Sequence, residues 1–380
     1  MLKNYISLIP LLAFCSIFCS PNYVFAQDEP EVNIGGAVRF NYNLSSWKPG
    51  QKARGGDFGY DVFIINADAK FKGIYLEAEY RLYSDAFGGG FLKYGLVGYE
   101  LDEKRRVELG LAEVPFGIER YNSHNWFLNL PYYVGLEDDY DMGVDYIYND
   151  DRFQYHVGFF KNAEEFAFGS NTPSSPHRYS YDVVGRNKEV NQFNTKFIWK
   201  PLSDNTHKIG VSGQYGGLYN IDTEETGDHY AVALHYEYQS NDWSIKGQAT
   251  KSKLNPKNAP GESRDIVSMG AYGVPYQVAA DFEIYTLGIA KKLTLDTNLI
   301  KYLEFYDDFG YMNKRKKEFA NTFMNVFGVL INSGPIFTYI DYAAGYNHSW
   351  LGGDFTNEFA AGMQDAKWEA RFNINIGYYF

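Results

Sequence analysis

Cysteine is nearly absent: Cys15 and Cys19 are the only two in 380 residues. Long apolar runs are absent too. Past the first two dozen positions, no stretch reaches the roughly 18 apolar residues of a membrane-crossing helix. Basic residues are outnumbered, 35 Lys and Arg against 47 Asp and Glu, for a net charge of −12. That balance excludes a general nucleic-acid surface, which selects lysine and arginine. There is no linker, no low-complexity stretch and no domain-sized shift in composition. No His-x-Glu-x-x-His motif, phosphate loop or nucleophile elbow occurs. The residues therefore point to no enzyme, no cofactor and no metal.

The first residues set the compartment. Lys3 is followed by an almost wholly apolar run from Tyr5 to Cys19 and then by Val24-Phe25-Ala26. This is the pattern of a secretory signal peptide, residues 1–26, cleaved before Gln27. Phe14 and Phe18 stand before the two cysteines where a lipoprotein signal would carry a small residue, which argues against a lipid anchor. Removing 26 of 380 residues leaves 354, read as one domain over 27–380. That chain has no cysteine, hence no disulfide and no thiolate metal site. Losing Lys3 takes its net charge from −12 to −13.

What is abundant is aromatic residues and glycine: 34 Tyr, 29 Phe and 37 Gly. An exported, aromatic-rich chain without helical spans is either a large soluble β-protein or a membrane barrel. Periodicity separates the two. Over 366–380 the even positions are Ala366, Trp368, Ala370, Phe372, Ile374, Ile376, Tyr378 and Phe380, all apolar or aromatic. The odd positions include Lys367, Glu369, Arg371, Asn373 and Asn375. Alternation places one row against lipid and the other against water. The same pattern recurs at 32–42, 74–83, 152–160 and 229–238. Segments 91–101, 281–290 and 299–309 lose phase, as bulges would make them do.

Sixteen such segments are predicted, and the gaps between them sort into two kinds. Seven are short, such as Lys72-Gly73, Asp150-Asp151 and Ser333-Gly334. Eight are mostly long, including 44–59, 116–140, 162–189, 253–278 and 346–365. Short turns alternating with long loops predict an all-β, transmembrane, antiparallel sixteen-stranded barrel of the outer membrane. The turns are periplasmic and the loops external. The terminal Phe380 resembles the aromatic signal read by the barrel assembly machinery.

Particular runs resemble the phosphate-selective porin O and P family. They are Val114-Pro115-Phe116-Gly117-Ile118-Glu119-Arg120-Tyr121, Phe305-Tyr306-Asp307-Asp308-Phe309-Gly310-Tyr311-Met312, Ser333-Gly334-Pro335 and Gly345-Tyr346-Asn347-His348. The resemblance implies a homotrimeric channel whose third external loop, 116–140, enters the lumen. It implies passive diffusion of small hydrophilic solutes or ions. Phosphate selectivity does not follow from the residues, because the inward rows are mixed. Arg39, Lys196, Lys367 and Arg371 stand against Glu77, Glu79, Glu237 and Glu369.

The expected constriction combines Glu119 and Arg120 of the third loop with Glu77, Glu79 and Arg81 of the third strand. The expected lumen wall includes Arg39, Lys367, Glu369 and Arg371. Glu137-Asp138-Asp139-Tyr140-Asp141 reads as a solvated acidic loop rather than a calcium site. Lys314-Arg315-Lys316-Lys317 reads as a solvated loop, or as a contact for lipopolysaccharide phosphates. Expected partners are solutes, outer-membrane lipids and lipopolysaccharide. Two alternatives remain: a phosphate or oxyanion channel, and a surface adhesin or receptor with a plugged barrel.

Overall fold

A computed structural model describes residues 30–164, 169–202, 205–295 and 297–380; the expected signal peptide, 1–26, lies outside them. In chain order the strands are β1 Glu31–Ser45, β2 Asp57–Phe71, β3 Ile74–Tyr83, β4 Gly90–Glu100, β5 Arg105–Glu113, β6 Tyr140–Asn149, β7 Phe153–Ala163, β8 Asp182–Val183, β9 Asn187–Trp199, β10 His207–Asn220, β11 Thr226–Gln239, β12 Trp243–Asn255, β13 Ile266–Ala271, β14 Val274–Ala279, β15 Asp281–Thr294, β16 Tyr302–Lys314, β17 Thr322–Ser333, β18 Ile336–Tyr346 and β19 Glu369–Tyr379. Sixteen of them form one closed antiparallel barrel, and β8, β13 and β14 form a separate three-stranded sheet. Each predicted strand segment corresponds to one barrel strand. The small sheet lies in what the sequence reads as loops 162–189 and 253–278.

Closure follows from the solvent. Lipid offers no hydrogen bonds, so an open sheet edge would leave a row of backbone groups without partners. β1 pairs with β2 on one side and with β19 on the other. The seam ends with the Gly36 amide donating to the Phe380 carbonyl at 2.9 Å and the Phe380 amide donating to the Gly36 carbonyl at 3.0 Å.

The alternating apolar row faces outward. Val211, Val232, Leu234, Leu287 and Ile289 are exposed in mid-strand. Phe71, Tyr99, Phe153, Trp199 and Trp243 are exposed near the periplasmic turns, and Phe58, Phe193, Tyr215, Tyr285 and Trp368 toward the external loops. An aliphatic belt between aromatic girdles is the surface that a bilayer and its two interfaces select.

Two sequence expectations need correction. Of the three segments expected to carry bulges, only β4 does: opposite β3 the register slips at Lys93. β15 and β16 pair without any slip. In β15 the phase is blurred because apolar residues also face inward, Phe282 and Ile284 being fully buried; in β16 both rows are mixed, with Asp307 outward and Tyr306 and Met312 inward. The second correction concerns Lys367. β19 begins at Glu369, and Lys367 is an exposed residue of the preceding loop, not of the lumen wall.

The reason for those apolar inward residues is the main hydrophobic core, which lies inside the barrel. It joins Phe116, Phe127, Leu130 and Tyr133 of the third loop, Tyr276 and Val278 of the small sheet, and Leu351 and Phe359 of the last loop. The wall side is built by residues such as Ala233, Phe282, Met312 and Val326. Loop material thus fills the interior against β11, β12 and β15–β18.

A test of the seam follows from Gly36. A Cβ there would stand 2.2 Å from the Ile64 carbonyl oxygen and 2.9 Å from the Phe380 ring, whereas one at Gly59 meets nothing within 4 Å. Gly36→Val is expected to abolish the heat-modifiable band of the folded barrel on SDS gels, and Gly59→Val to leave it intact.

Candidate functional site

The third external loop, L3, leaves β5 after Glu113 and returns at Tyr140, so it spans 114–139. It is not an external flap. Its backbone is hydrogen-bonded to wall strands far from its own pair. The Gly117 amide donates to Ser212 Oγ of β10 at 3.0 Å, and the Ile118 amide to Gln248 Oε1 of β12 at 2.9 Å. Lys246 Nζ, also on β12, donates to the carbonyls of Tyr121 and Ser123 at 2.7 and 2.9 Å. Thr286 of β15 donates to Asn122 Oδ1 at 2.8 Å.

Asp308 of β16 is the densest of these anchors. Its Oδ2 accepts from the amides of His124 and Asn125, at 2.7 and 3.1 Å, and from Asn125 Nδ2 at 2.8 Å. Its Oδ1 lies 2.8 Å from His124 Nδ1, and His124 Nε2 lies 2.8 Å from Ser244 Oγ. The Ser244–His124–Asp308 order is that of a hydrolytic triad. Here the carboxylate's other oxygen is occupied by three loop donors, and Ser244 is itself buried. Every contact in the set joins L3 to the wall, and most of them converge on Asp308. Gly288 provides the room, since a Cβ there would stand 2.2 Å from Asp308 Oδ1.

Glu119 and Arg120 sit where L3 faces the open half of the barrel. Lys196 Nζ of β9 meets a Glu119 carboxylate oxygen at 2.8 Å. Burial alone would raise this carboxyl, but Lys196 and then His156 hold it down at about 2, so it stays ionised. Arg120 Nε meets Glu113 Oε2 at 2.5 Å and remains 45% exposed. That exposure leaves it available to solvent.

Two cavities flank this point. The larger, about 1160 Å³, reaches from Trp47, Lys48 and Trp350 in the external loops to Glu304 and Tyr379 near the periplasmic ends of their strands. The smaller, about 670 Å³, lies among the periplasmic halves of β1–β7. Arg120 lines both. Of the other constriction candidates, Glu79 and Arg81 line the larger cavity, and Glu77 and Glu119 the smaller. All five sequence candidates therefore border this pair of cavities. Of the wall candidates, Arg39 and Arg371 line the larger one. Glu369 accepts a hydrogen bond from Ser46 at the external end of β19.

Charge differs between the two. The smaller cavity is lined by Glu31, Asp68, Glu77, Glu100, Glu108, Glu113, Glu119 and Asp145 against Lys70, Arg106 and Arg120, an excess of five acids. In the larger, six bases face five acids, and several are paired. Arg39 Nε meets Asp61 Oδ2 at 2.9 Å, and Arg81 Nε meets Glu79 Oε1 at 2.6 Å.

The acidic run of L3 is buried, contrary to the sequence expectation of a solvated loop: Glu137, Asp138 and Asp139 are all at most 7% exposed. Asp138 accepts from Lys93 Nζ, Tyr140 and Tyr179. Lys93 can reach it because the β4 bulge turns Lys93 inward beside Tyr94. Glu137 accepts from the Asn122 amide at 2.8 Å, and burial pushes its carboxyl up to about 8. The basic run is also tied down. Lys314 donates to the Glu358 carbonyl at 2.5 Å, Arg315 meets Glu283 at 3.7 Å, and Lys316 pairs with Asp265.

The sequence reading missed Lys93, Lys246, Gln248 and Asp308. Asp308 carried a usable signal, because it lies on the inward parity of β16, between outward Phe305 and Phe309.

Solved structures share this architecture. The anion-selective porin from Comamonas acidovorans superposes with TM-score 0.59 at 12% identity, over 93% of this chain and all of that one. The trimer form of OmpT, an outer membrane protein of Vibrio cholerae, gives 0.56 at 14%, over 93% and all. The outer membrane channel DcaP of Acinetobacter baumannii gives 0.54 at 11%, over 93% and 99%. The fold is that of the outer-membrane porins. No family model matches the chain, and no curated protein matches it.

If Asp308 seats L3, Asp308→Ala leaves several buried donors without an acceptor, at about 1–3 kcal/mol each. The barrel should keep its heat-modifiable mobility. L3 should loosen, read as a larger and noisier single-channel current in planar bilayers. Ser244→Ala should leave the current unchanged.

Proposed function

We propose that the protein is a passive outer-membrane channel through which small hydrophilic solutes and ions diffuse, exported by its 1–26 signal and inserted through recognition of Phe380. The observation that carries this reading is the larger cavity beside L3, lined by charged and aromatic side chains and reaching from the external loops to the periplasmic strand ends. In this reading Arg120, Glu119, Glu77, Glu79 and Arg81 surround the narrowest passage. Solutes are selected there by size and by local field. The protein assembles as a homotrimer, as the trimer form of the Vibrio cholerae protein does.

The charge distribution favours cations or a near-neutral preference. Arg39, Arg81 and Arg120 each carry a carboxylate partner within 2.9 Å, so their fields are largely cancelled. In the acidic cavity below, Glu100, Glu108, Glu113 and Glu119 pair with Lys70, Arg106, Arg120 and Lys196, so the negative excess rests on Glu31, Asp68, Glu77 and Asp145. A ring of like charge in a low-dielectric wall concentrates counter-ions. This separates the chain from the anion-selective porin whose fold it shares. The filled half of the interior favours a second reading, a receptor barrel with a blocked lumen.

Planar-bilayer recording distinguishes the two. The channel reading expects stepwise conductance and a reversal potential, in a salt gradient, on the cation side or near zero. Glu77→Gln combined with Glu108→Gln should move that potential toward the anion side. A clear anion preference in the unsubstituted protein would refute the charge argument, and absence of conductance steps would refute the channel.

A further inference from the structure

A second acidic cluster lies apart from the passage, where L3 rejoins the wall. Asp139 ends the loop, Asp141 is the second residue of β6, and Asp182 belongs to β8 of the small sheet. One oxygen from each lies within 4.8 Å of the other two. All three residues are buried, at 7%, 2% and 2% exposure. Glu164 of the fourth external loop and Glu189 of β9 add two more carboxyls. Glu189 is within hydrogen-bonding reach of Asp182, although two carboxylates cannot bond without a shared cation or proton.

Positive charge at the cluster comes from Arg178. Its Nη1 meets Asp182 Oδ2 at 2.7 Å and Glu164 Oε2 at 3.2 Å. Among the described residues, one guanidinium faces five carboxylates. More telling, Asp139 Oδ1 and Asp141 Oδ1 are buried without any hydrogen-bond partner. Each buried, unpaired carboxylate carries a penalty of several kcal/mol. The chain has placed them together at a site where their repulsion is greatest.

We propose that Asp139, Asp141 and Asp182 bind a divalent cation, with Ca²⁺ the best fit. Ca²⁺ takes oxygens at about 2.3–2.6 Å, so opposite ligands of its shell lie about 5 Å apart; Mg²⁺, at about 2.0–2.1 Å, requires a tighter set. A separation within 4.8 Å admits either ion; the number of carboxylates, three with two more beside them, favours Ca²⁺, because Mg²⁺ usually keeps several waters and takes one or two carboxylates. The ion joins two segments distant in sequence, 139–141 at the root of L3 and β8 at Asp182. Asp139 also holds L3 closed through its carbonyl, which accepts from the Val114 amide at 2.9 Å. Asp182 sits opposite Gly270 of β13. Binding therefore locks the root of L3 to the sheet that covers it, independently of what the channel conducts.

The test uses the full chain refolded in detergent without lipopolysaccharide, which has cation sites of its own. Tb³⁺, an oxygen-seeking probe for Ca²⁺ sites, is sensitised by nearby tyrosines, and Tyr140 and Tyr181 adjoin the ligands. The expected result is saturable emission displaced by Ca²⁺ at least tenfold more readily than by Mg²⁺, and lost in Asp139→Asn/Asp141→Asn. In the unsubstituted protein alone, millimolar Ca²⁺ should raise the melting temperature and a chelator should reverse the rise. Absence of saturable emission and of any Ca²⁺-dependent melting shift would overturn the proposal, with protons then relieving the repulsion. Emission unchanged in the folded double variant would overturn the assignment of ligands.

Discussion

Lipid accepts no hydrogen bonds, and the rest of the structure depends on that constraint. It forces β1 onto β19 and closes sixteen strands into a ring. A ring of sixteen is too wide for wall side chains to fill, so the interior must hold either water or more chain. This protein divides it. L3, the small sheet and the last loop pack as an apolar mass against β11, β12 and β15–β18. The cavities lie against β1–β7 and the seam.

That division explains an oddity of the sequence. Membrane barrels have no hydrophobic core in the soluble sense, yet many residues here are apolar on both faces of a strand. Phe282 and Ile284 face L3, while Tyr285 and Leu287 next to them face lipid. L3 supplies the inner apolar partner, and polar anchors fix its position. Asp308, Lys246 and Gln248 satisfy loop amides and carbonyls that would otherwise be buried without partners. Those anchors hold the segment that carries Arg120, which borders both cavities.

Much of the fold was legible from local pattern. Alternation marks β1, β3, β7, β11 and β19 because one of their faces meets lipid and the other is mostly polar. The sorting of turns and loops identified a barrel. Alternation blurs where both faces are apolar, as in β15, and where a bulge presents consecutive residues inward, as Lys93 and Tyr94 do in β4. The small sheet was hidden because β13 and β14 are short and contain Gly270 and Pro275. Parity and a family resemblance point to the candidate passage residues, and all five border the two cavities. They do not point to the anchors, since Asp308 and His124 are 184 positions apart and nothing local announces their meeting. The acidic run misled for the same reason. Five acid-rich positions read as solvated unless the segment covering them is known, and Asp182, 41 positions beyond Asp141 in the chain, belongs to that segment.

The central claim is that L3 lies within the barrel and brings Arg120 to the water-filled passage. The most direct measurement replaces Arg120 with cysteine, in a chain produced without Cys15 and Cys19, and applies a charged, membrane-impermeant thiol reagent during single-channel recording. Because Arg120 borders both cavities, the account predicts a persistent fall in conductance with reagent added to either side of the membrane. Current unaffected from both sides would contradict it, placing position 120 outside the conducting path.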